Sequence, residues 1–305
     1  MKTWLNIISL ILLSLFYPTQ SHAAATQYPV ILIHGFMGFD DAFGIDYFYG
    51  IPEALSNQGV QVFVARVSPV NTTEIRGEQL RLYVQSVLAY TGAEKVNLIG
   101  HSHGGPTARY VASVSPEIVA SVTSIGGVNW GSRFADFLME KIPVDSALAW
   151  VLNNAFNTLS EIITRVSGGG QYPTGTLAST ASLTTQGSII FNQKYPEGIP
   201  EYYCGYGSEK ASNGVSYYSW SGTSQNTHVL DPSDVAFNVI SRLFDEPNDG
   251  LVSSCSSHLG KVLSDNYNMN HLDQINQMFG LVSWSETNPK ILFKEHINLL
   301  ANNGF

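Results

Sequence analysis

The stretch Val96-Asn97-Leu98-Ile99-Gly100-His101-Ser102-His103-Gly104-Gly105 limits what this chain can fold into more than any other. The mostly apolar run from Val96 to Ile99 reads as a buried strand, and Pro106 to Ala112 opens like a helix. Between them Gly100 to Gly104 spells Gly-x-Ser-x-Gly. Strand, tight turn and helix together make a nucleophile elbow, in which the serine sits on strained backbone with its Oγ lifted clear of the sheet. Glycines flank it because side chains there would collide with the neighbouring strand and helix. A turn of this kind belongs in a layered α/β domain, and the rest of the chain must then supply a base, an acid and N–H donors for an oxyanion.

The surrounding pattern fits. Tyr28 to His34 is a continuous apolar run suited to a central parallel strand, and it leads into His34-Gly35-Phe36-Met37-Gly38. Phe36, just past His-Gly, and His103, just past the serine, are the natural oxyanion donors, each through its main-chain N–H. Val60 to Val67 alternates as a second strand. Gly77 to Tyr90 carries Leu80, Tyr83, Val84, Val87 and Leu88 at helical spacing, and Ile118 to Ile125 is the next strand. Strands alternating with helices imply a mostly parallel sheet flanked by helices, with residues 26–305 as one domain.

The pattern changes after Asn129. Phe134 to Val166 looks helical and unusually apolar. Leu148, Val151, Leu152, Ala155, Phe156, Leu159, Ile162, Ile163 and Val166 form one stripe, with Asn153, Asn154, Asn157, Ser160 and Glu161 on the other side. Placed as an insertion after a sheet strand, around residues 130–170, this segment fits a helical lid over an apolar-substrate site. A Ser/Thr/Gly-rich stretch to about Gly187 follows as loop. Val215 to Ser221 reads as a strand, Val235 to Phe244 as a helix, Lys261 to Leu263 as a short last strand, His271 to Leu281 as an amphipathic helix, and Lys290 to Leu300 as a final helix capped by Asn288-Pro289.

Composition narrows the functional classes. The chain has 305 residues, 44% hydrophobic and 13% charged, with a net charge of −9. That excludes the basic footprint of a nucleic-acid binder. Residues 1–25 read as a secretory signal peptide cleaved near residues 23–25: Lys2, an apolar core from Leu5 to Phe16, then Ala23-Ala24-Ala25. The mature protein is therefore expected outside the cell, exported through the periplasm. In such a chain two cysteines, Cys204 and Cys255, read as one disulfide, the alternative being two buried thiols.

In sites built on this turn the acid and then the base follow the serine. After Ser102 come His103, His228, His258, His271 and His296. His271 follows the last expected strand, where the base belongs, and Asp249 lies in a loop upstream. His258 and Asp265 are the competing pair. Asp231 and Asp273, the latter spaced one helical turn from Gln277, offer carboxylates of the kind that suit Ca²⁺, while no His/Cys cluster is spaced for zinc.

Together His34-Gly35, Arg76 to Gln79, Val96 to Pro106, Tyr217 to Gly222, Leu230 to Asp234, Asn248 to Val252, Cys255 to Gly260 and Met269 to Asp273 resemble the secreted true lipases of the Pseudomonas and Burkholderia type, over nearly all of the mature chain. The resemblance implies an α/β-hydrolase fold with a helical lid and a Ser102, Asp249, His271 triad. It implies oxyanion N–H groups from Phe36 and His103, and a Cys204–Cys255 bridge. It also implies one structural calcium held by Asp231, Asp273 and the main-chain oxygens of Gln277 and Leu281. The implied substrate is a triglyceride or other fatty-acid ester at an oil–water interface. The implied partner is a membrane-bound lipase-specific foldase, and the mature enzyme is expected to be a monomer. A carboxylesterase acting on soluble esters is the near alternative. A catalytically idle binding protein on the same fold is the distant one, against which the intact Ser, His and Asp argue.

Overall fold

The computed structural model describes residues 25–36, 41–42, 45–140, 154 and 176–305. In chain order the strands are β1 (Val30–Ile33), β2 (Asp41–Ala42), β3 (Ile45–Asp46), β4 (Val62–Val64), β5 (Val96–His101), β6 (Val119–Ile125), β7 (Ser216–Gly222) and β8 (Lys261–Tyr267). β2 and β3 pair antiparallel by themselves. The other six form one sheet in the order β4-β1-β5-β6-β7-β8, with every pairing parallel.

The flanking helices are α1 (Ile51–Ser56), α2 (Thr73–Thr91), α3 (Gly104–Val114), α4 (Arg133–Met139), α5 (Thr176–Leu183), α6 (Thr185–Lys194), α7 (Ser233–Ile240) and α8 (Pro289–Asn302). Successive residues of β1 enter opposite cores. Val30 and Leu32 join Ile99, Tyr218 and Trp220 against α1, α7 and α8. Ile31 and Ile33 join Leu98, Val122 and Tyr217 against α2 and α3. With both faces covered, β1 is apolar throughout, and polar side chains buried on the next strands pair with each other, Ser121 Oγ on β6 donating to Asn97 Oδ1 on β5 at 2.7 Å. Helix ends follow local chemistry: the Thr72 side chain accepts from the N–H of Ile75 at the start of α2, and the Asn288 side chain accepts from Lys290 N–H at the start of α8, with Pro289 in its first turn.

Because the sheet is parallel, the loops after β1, β5, β7 and β8 all leave from one edge, where sites form in such folds. The loops after β1, β5 and β8 carry Phe36, Ser102 and His271, and the connection from β7 to β8 carries Asp249, past α7.

Three expectations are corrected. The amphipathic helix over His271 to Leu281 is absent. A 3-10 turn, Asp273–Ile275, gives way to a left-handed run with positive φ at Asn276 (58°), Met278 (56°), Phe279 (60°) and Gly280 (78°). Long-range bonds override the local periodicity: Asn276 Nδ2 donates to Tyr49 O (2.8 Å), and Gln277 Nε2 donates to Asp46 O (2.8 Å) and Tyr47 O (2.9 Å). The stretch before Gly187 is not wholly loop, since α5 and α6 occupy it. Thr184 caps α6 by accepting from Gly187 N–H at 3.0 Å, a use of Thr that composition alone reads as loop. The last strand runs on to Tyr267, beyond Leu263. The expected lid stripe from Leu148 to Val166 lies, Asn154 apart, outside the described residues.

Cys204 and Cys255 are joined, closing a loop of sequence separation 51. On the chain-entropy account a loop of that size contributes roughly 4 kcal/mol. Cys204→Ser is therefore expected to lower the unfolding free energy by about 4 kcal/mol, read as a lower denaturant midpoint in chemical unfolding of the oxidised proteins. An unchanged midpoint would show that the bridge does not stabilise the fold.

Candidate active site

Ser102 sits between β5 and α3 with φ of 57°, in the left-handed region that a serine rarely adopts. Its N–H donates to Ile125 O at 2.9 Å, and Gly105 N–H returns to Ser102 O at 3.1 Å, closing the turn. A Cβ on Gly100 would come within 2.2 Å of Gly104 O, and one on Gly104 within 2.3 Å of Ile33 O. The turn exists only because both positions are glycine.

Asp249 is fully buried and saturated. Its Oδ1 accepts from the N–H groups of Leu251 (3.0 Å) and Val252 (2.8 Å). Its Oδ2 accepts from His271 Nδ1 (2.7 Å) and Gln274 Nε2 (2.7 Å). A carboxylate only accepts, so His271 carries its proton on Nδ1 and is left with a lone pair on Nε2, the tautomer a general base requires. The main chain ties the same two residues together, with His271 N–H donating to Asp249 O at 2.9 Å. The His271 ring lies 4.5 Å, centroid to centroid, from the ring of His101, the residue directly before Ser102. The structure thus brings the base loop to the elbow.

The two candidate oxyanion donors flank the elbow. Phe36 lies in the loop after β1, whose His34 carbonyl accepts from Arg76 Nη2 at 2.6 Å. Arg76 is itself buried and also donates to Thr107 Oγ1 (3.2 Å) and Ser68 O (2.5 Å). The side chain of His103 is turned away from the site, with Nε2 on Thr73 Oγ1 at 2.9 Å. Burial, then the charge of Arg76, holds it well below the ordinary histidine range and keeps it neutral. Among the described residues no acceptor takes the main-chain N–H of Phe36 or His103.

The other histidines are committed elsewhere. His258 and Asp265 meet each other (3.0 Å), and the second His258 nitrogen reaches Gly205 O (2.8 Å) beside the disulfide. His296 binds Thr123 Oγ1 at 2.6 Å, with its pKa pushed down to about 3 by burial. His228 packs its ring against exposed Trp284.

Asp231 and Asp273 form a second acidic site next to the base loop. Asn270, whose Nδ2 lies 3.3 Å from Asp231 Oδ2, also donates its main-chain N–H to Asp273 Oδ2 at 3.0 Å. The Asp273 Oδ1 atom is buried without a partner. Burial, with Asp231 and Asp234 nearby, pushes the Asp273 carboxyl up to about 8, and burial also raises Asp231. Two buried carboxyl groups with an orphan oxygen are a donor set of the kind that suits a hard cation. Gln277 lies within the left-handed run that follows, between Asn276 and Met278, and Leu281 comes directly after it. Their main-chain oxygens belong to a loop held in a conformation that costs about 1–3 kcal/mol per non-glycine residue unless its surroundings fix it.

Gln274, Asn270 and Tyr47 were not singled out by sequence. Each acts through a partner distant in the chain, or through an Asx-type turn, and neither leaves a periodic signal.

Comparison with known proteins places the chain among enzymes. A family profile described as alpha/beta hydrolase fold matches residues 28–172. A triacylglycerol lipase of Vibrio cholerae is 53% identical, covering 98% of this chain and 99% of its own. Triacylglycerol lipases of Pseudomonas fragi (92% of this chain, 98% of its own) and Burkholderia plantarii (92% and 88%) are each 40% identical. In fold the chain is similar to the crystal structure of mature Bacillus licheniformis lipase BlEst2, with TM-score 0.63 at 17% identity, covering 94% of this chain and 95% of that one.

Gln274→Met keeps the side-chain length and removes the N–H that Asp249 accepts. Loss of a charge-assisted bond worth about 1.5–3 kcal/mol is expected to lower kcat roughly 10-fold or more, with KM little changed. Steady-state kinetics on a soluble ester checks this; wild-type kcat would show that the other three donors suffice.

Proposed function

The chain belongs to the bacterial lipases of the α/β-hydrolase superfamily, and on that premise we propose that it is a triacylglycerol lipase with Ser102, His271 and Asp249 as its catalytic residues. The observation that carries the reading is Asp249 fixing the Nδ1–H tautomer of His271 beside the strained Ser102 elbow.

Ser102 Oγ attacks the ester carbonyl while His271 Nε2 takes its proton. The carbonyl oxygen becomes an oxyanion, which the N–H groups of Phe36 and His103 stabilise. His271 then returns the proton to the departing glycerol oxygen, leaving the fatty acyl group on Ser102. Water, deprotonated by the same nitrogen, releases the fatty acid and restores the enzyme. Asp249 stays ionised throughout and stabilises the imidazolium.

Calcium fits as a structural ion, held by Asp231, Asp273 and the main-chain oxygens of Gln277 and Leu281. Its support is the orphan Asp273 Oδ1 and the chemistry of the donor set. Bound there, it would supply charge compensation and pin the loop carrying His271. The Leu148 to Val166 stripe is read as a lid that opens at an oil surface. Export rests on the leader in residues 1–25 and is in keeping with the disulfide. The foldase partner and a monomeric working state rest on the family resemblance.

The direct test is hydrolysis of an emulsified long-chain triglyceride. Wild type is expected to act on it, with a rise in rate as ester concentration crosses the solubility limit, and Ser102→Ala is expected to be inactive while still folded. Activity confined to dissolved esters would favour the carboxylesterase reading, and an active Ser102→Ala protein would refute the mechanism.

For the ion, chelation is expected to lower the melting temperature. Calcium at a hundredfold excess over its Kd adds about 2.7 kcal/mol. Without it, native Asp273, titrating near 8, holds a proton that the unfolded chain, titrating near 3.8, has shed. The native state binds more protons across that window, so the chelated protein should lose stability as pH rises from about 4 to 8. Melting curves with and without EDTA at pH 6 and 8 read this, and curves indifferent to EDTA would rule the ion out.

A further inference from the structure

His101, the variable residue before Ser102 in Gly-x-Ser-x-Gly, is fully buried and takes part in no step of the proposed reaction. Its two ring nitrogens are nevertheless both engaged. Nε2 meets the carbonyl oxygen of His271 at 2.9 Å, and Nδ1 meets Tyr47 Oη at 2.7 Å. Tyr47 Oη in turn accepts from Gly35 N–H at 3.1 Å.

The chemistry of the end groups fixes every proton in this chain. A carbonyl only accepts, so His101 Nε2 carries the hydrogen and donates it to His271 O. Burial, with His271 close by, holds His101 well below the ordinary histidine range and leaves it neutral, so Nδ1 is a lone pair. That nitrogen must accept the Tyr47 hydroxyl hydrogen, which frees the Tyr47 oxygen to accept from Gly35. The result is one directed chain: Gly35 N–H to Tyr47 O–H to His101 to His271 C=O. One end is the peptide next to Phe36, and the other is the main chain of the base. With His271 N–H already on Asp249 O, both main-chain polar groups of His271 are tied. The approach is close enough that a Cβ on Gly35 would lie 2.8 Å from both Ser102 Cβ and Tyr47 Oη.

We propose that Tyr47 and His101 are positioning residues that lock the oxyanion loop at Gly35-Phe36 and the base loop at His271 into a single geometry across the nucleophile turn. The inference rests on the proposed roles of Phe36 and His271. Its consequence is that the hydroxyl of Tyr47, far from the acid–base pair in sequence, sets the spacing between the oxyanion donors and the base. Neither group touches the reacting atoms in this role. Removing the link lets two loops drift independently, which weakens the transition state more than substrate binding.

The test uses the full-length mature enzyme on a soluble p-nitrophenyl ester below its solubility limit, with kcat, KM and melting temperature measured for each variant. Tyr47→Phe removes one oxygen from a buried ring and is expected to fold. It should lose on the order of 10-fold in kcat with KM within about twofold, as expected when geometry rather than binding is disturbed. His101→Leu should lose at least as much, and His101→Gln, which keeps an amide N–H and an acceptor oxygen, should recover part of it. Members of one chain are not additive, so Tyr47→Phe with His101→Leu should be no worse than His101→Leu alone. Wild-type kcat in Tyr47→Phe, or losses that multiply in the double variant, would overturn the inference. If His101→Leu does not fold, Tyr47→Phe paired with His101→Gln gives the same two outcomes. Ser102→Ala in the same assay separates the premises: if it is active, the catalytic reading fails, whereas an inactive Ser102→Ala beside a fully active Tyr47→Phe removes only the positioning role.

Discussion

The left-handed backbone at Ser102 is the constraint on which the site depends. A non-glycine residue there costs about 1–2 kcal/mol, and nothing local favours it. It is held by the main-chain bonds to Ile125 O and from Gly105 N–H, and by the close contacts that only glycine tolerates at Gly100 and Gly104. Those contacts exist because β1 and β6 lie on either side of β5 in a sheet buried on both faces. The strain is thus held by the hydrophobic core, and the turn it produces points the nucleophile at the sheet edge where the other loops converge.

Two buried carboxylates near His271 show how hydrogen bonding divides roles that residue type leaves open. Asp249 has four N–H donors, one of them the base, and so can stay charged in a dry interior. Asp273, two positions past the base, has an oxygen with no partner and a carboxyl driven toward the protonated form by burial. The first is equipped to steady an imidazolium, and the second is left with an oxygen that no hydrogen-bond donor satisfies. The same accounting separates His271 from His258, whose ring is fully used between Asp265 and Gly205 O.

How much of this was legible in the sequence follows from the range of each interaction. The elbow, β1 and β5 to β7 could be read because a Gly-x-Ser-x-Gly turn and doubly covered strands write themselves locally. So could α2, through its helical spacing, and α8, through its Asn288-Pro289 cap. The segment after His271 could not. Its apolar spacing is helical, yet Asn276 and Gln277 reach back to the main chain at residues 46–49 and force left-handed geometry. Gln274 and Tyr47 were silent for a related reason, since their partners Asp249 and His101 lie 25 and 54 positions away. Asp249 and His271 could be nominated from chain order, but Asp265 and His258 pair as well (3.0 Å), and what separates them is the second His258 nitrogen, spent on Gly205 O, and the 4.5 Å approach of the His271 ring to His101 beside Ser102.

The measurement closest to the central claim is mass spectrometry of the enzyme after treatment with a long-chain alkyl p-nitrophenyl phosphonate, which mimics the tetrahedral intermediate. The account requires one adduct per chain, on the peptide bearing Ser102, formed in step with loss of activity, and greatly slowed in His271→Ala. Inactivation with the label on another residue, or labelling of Ser102 at the same rate without His271, would contradict it.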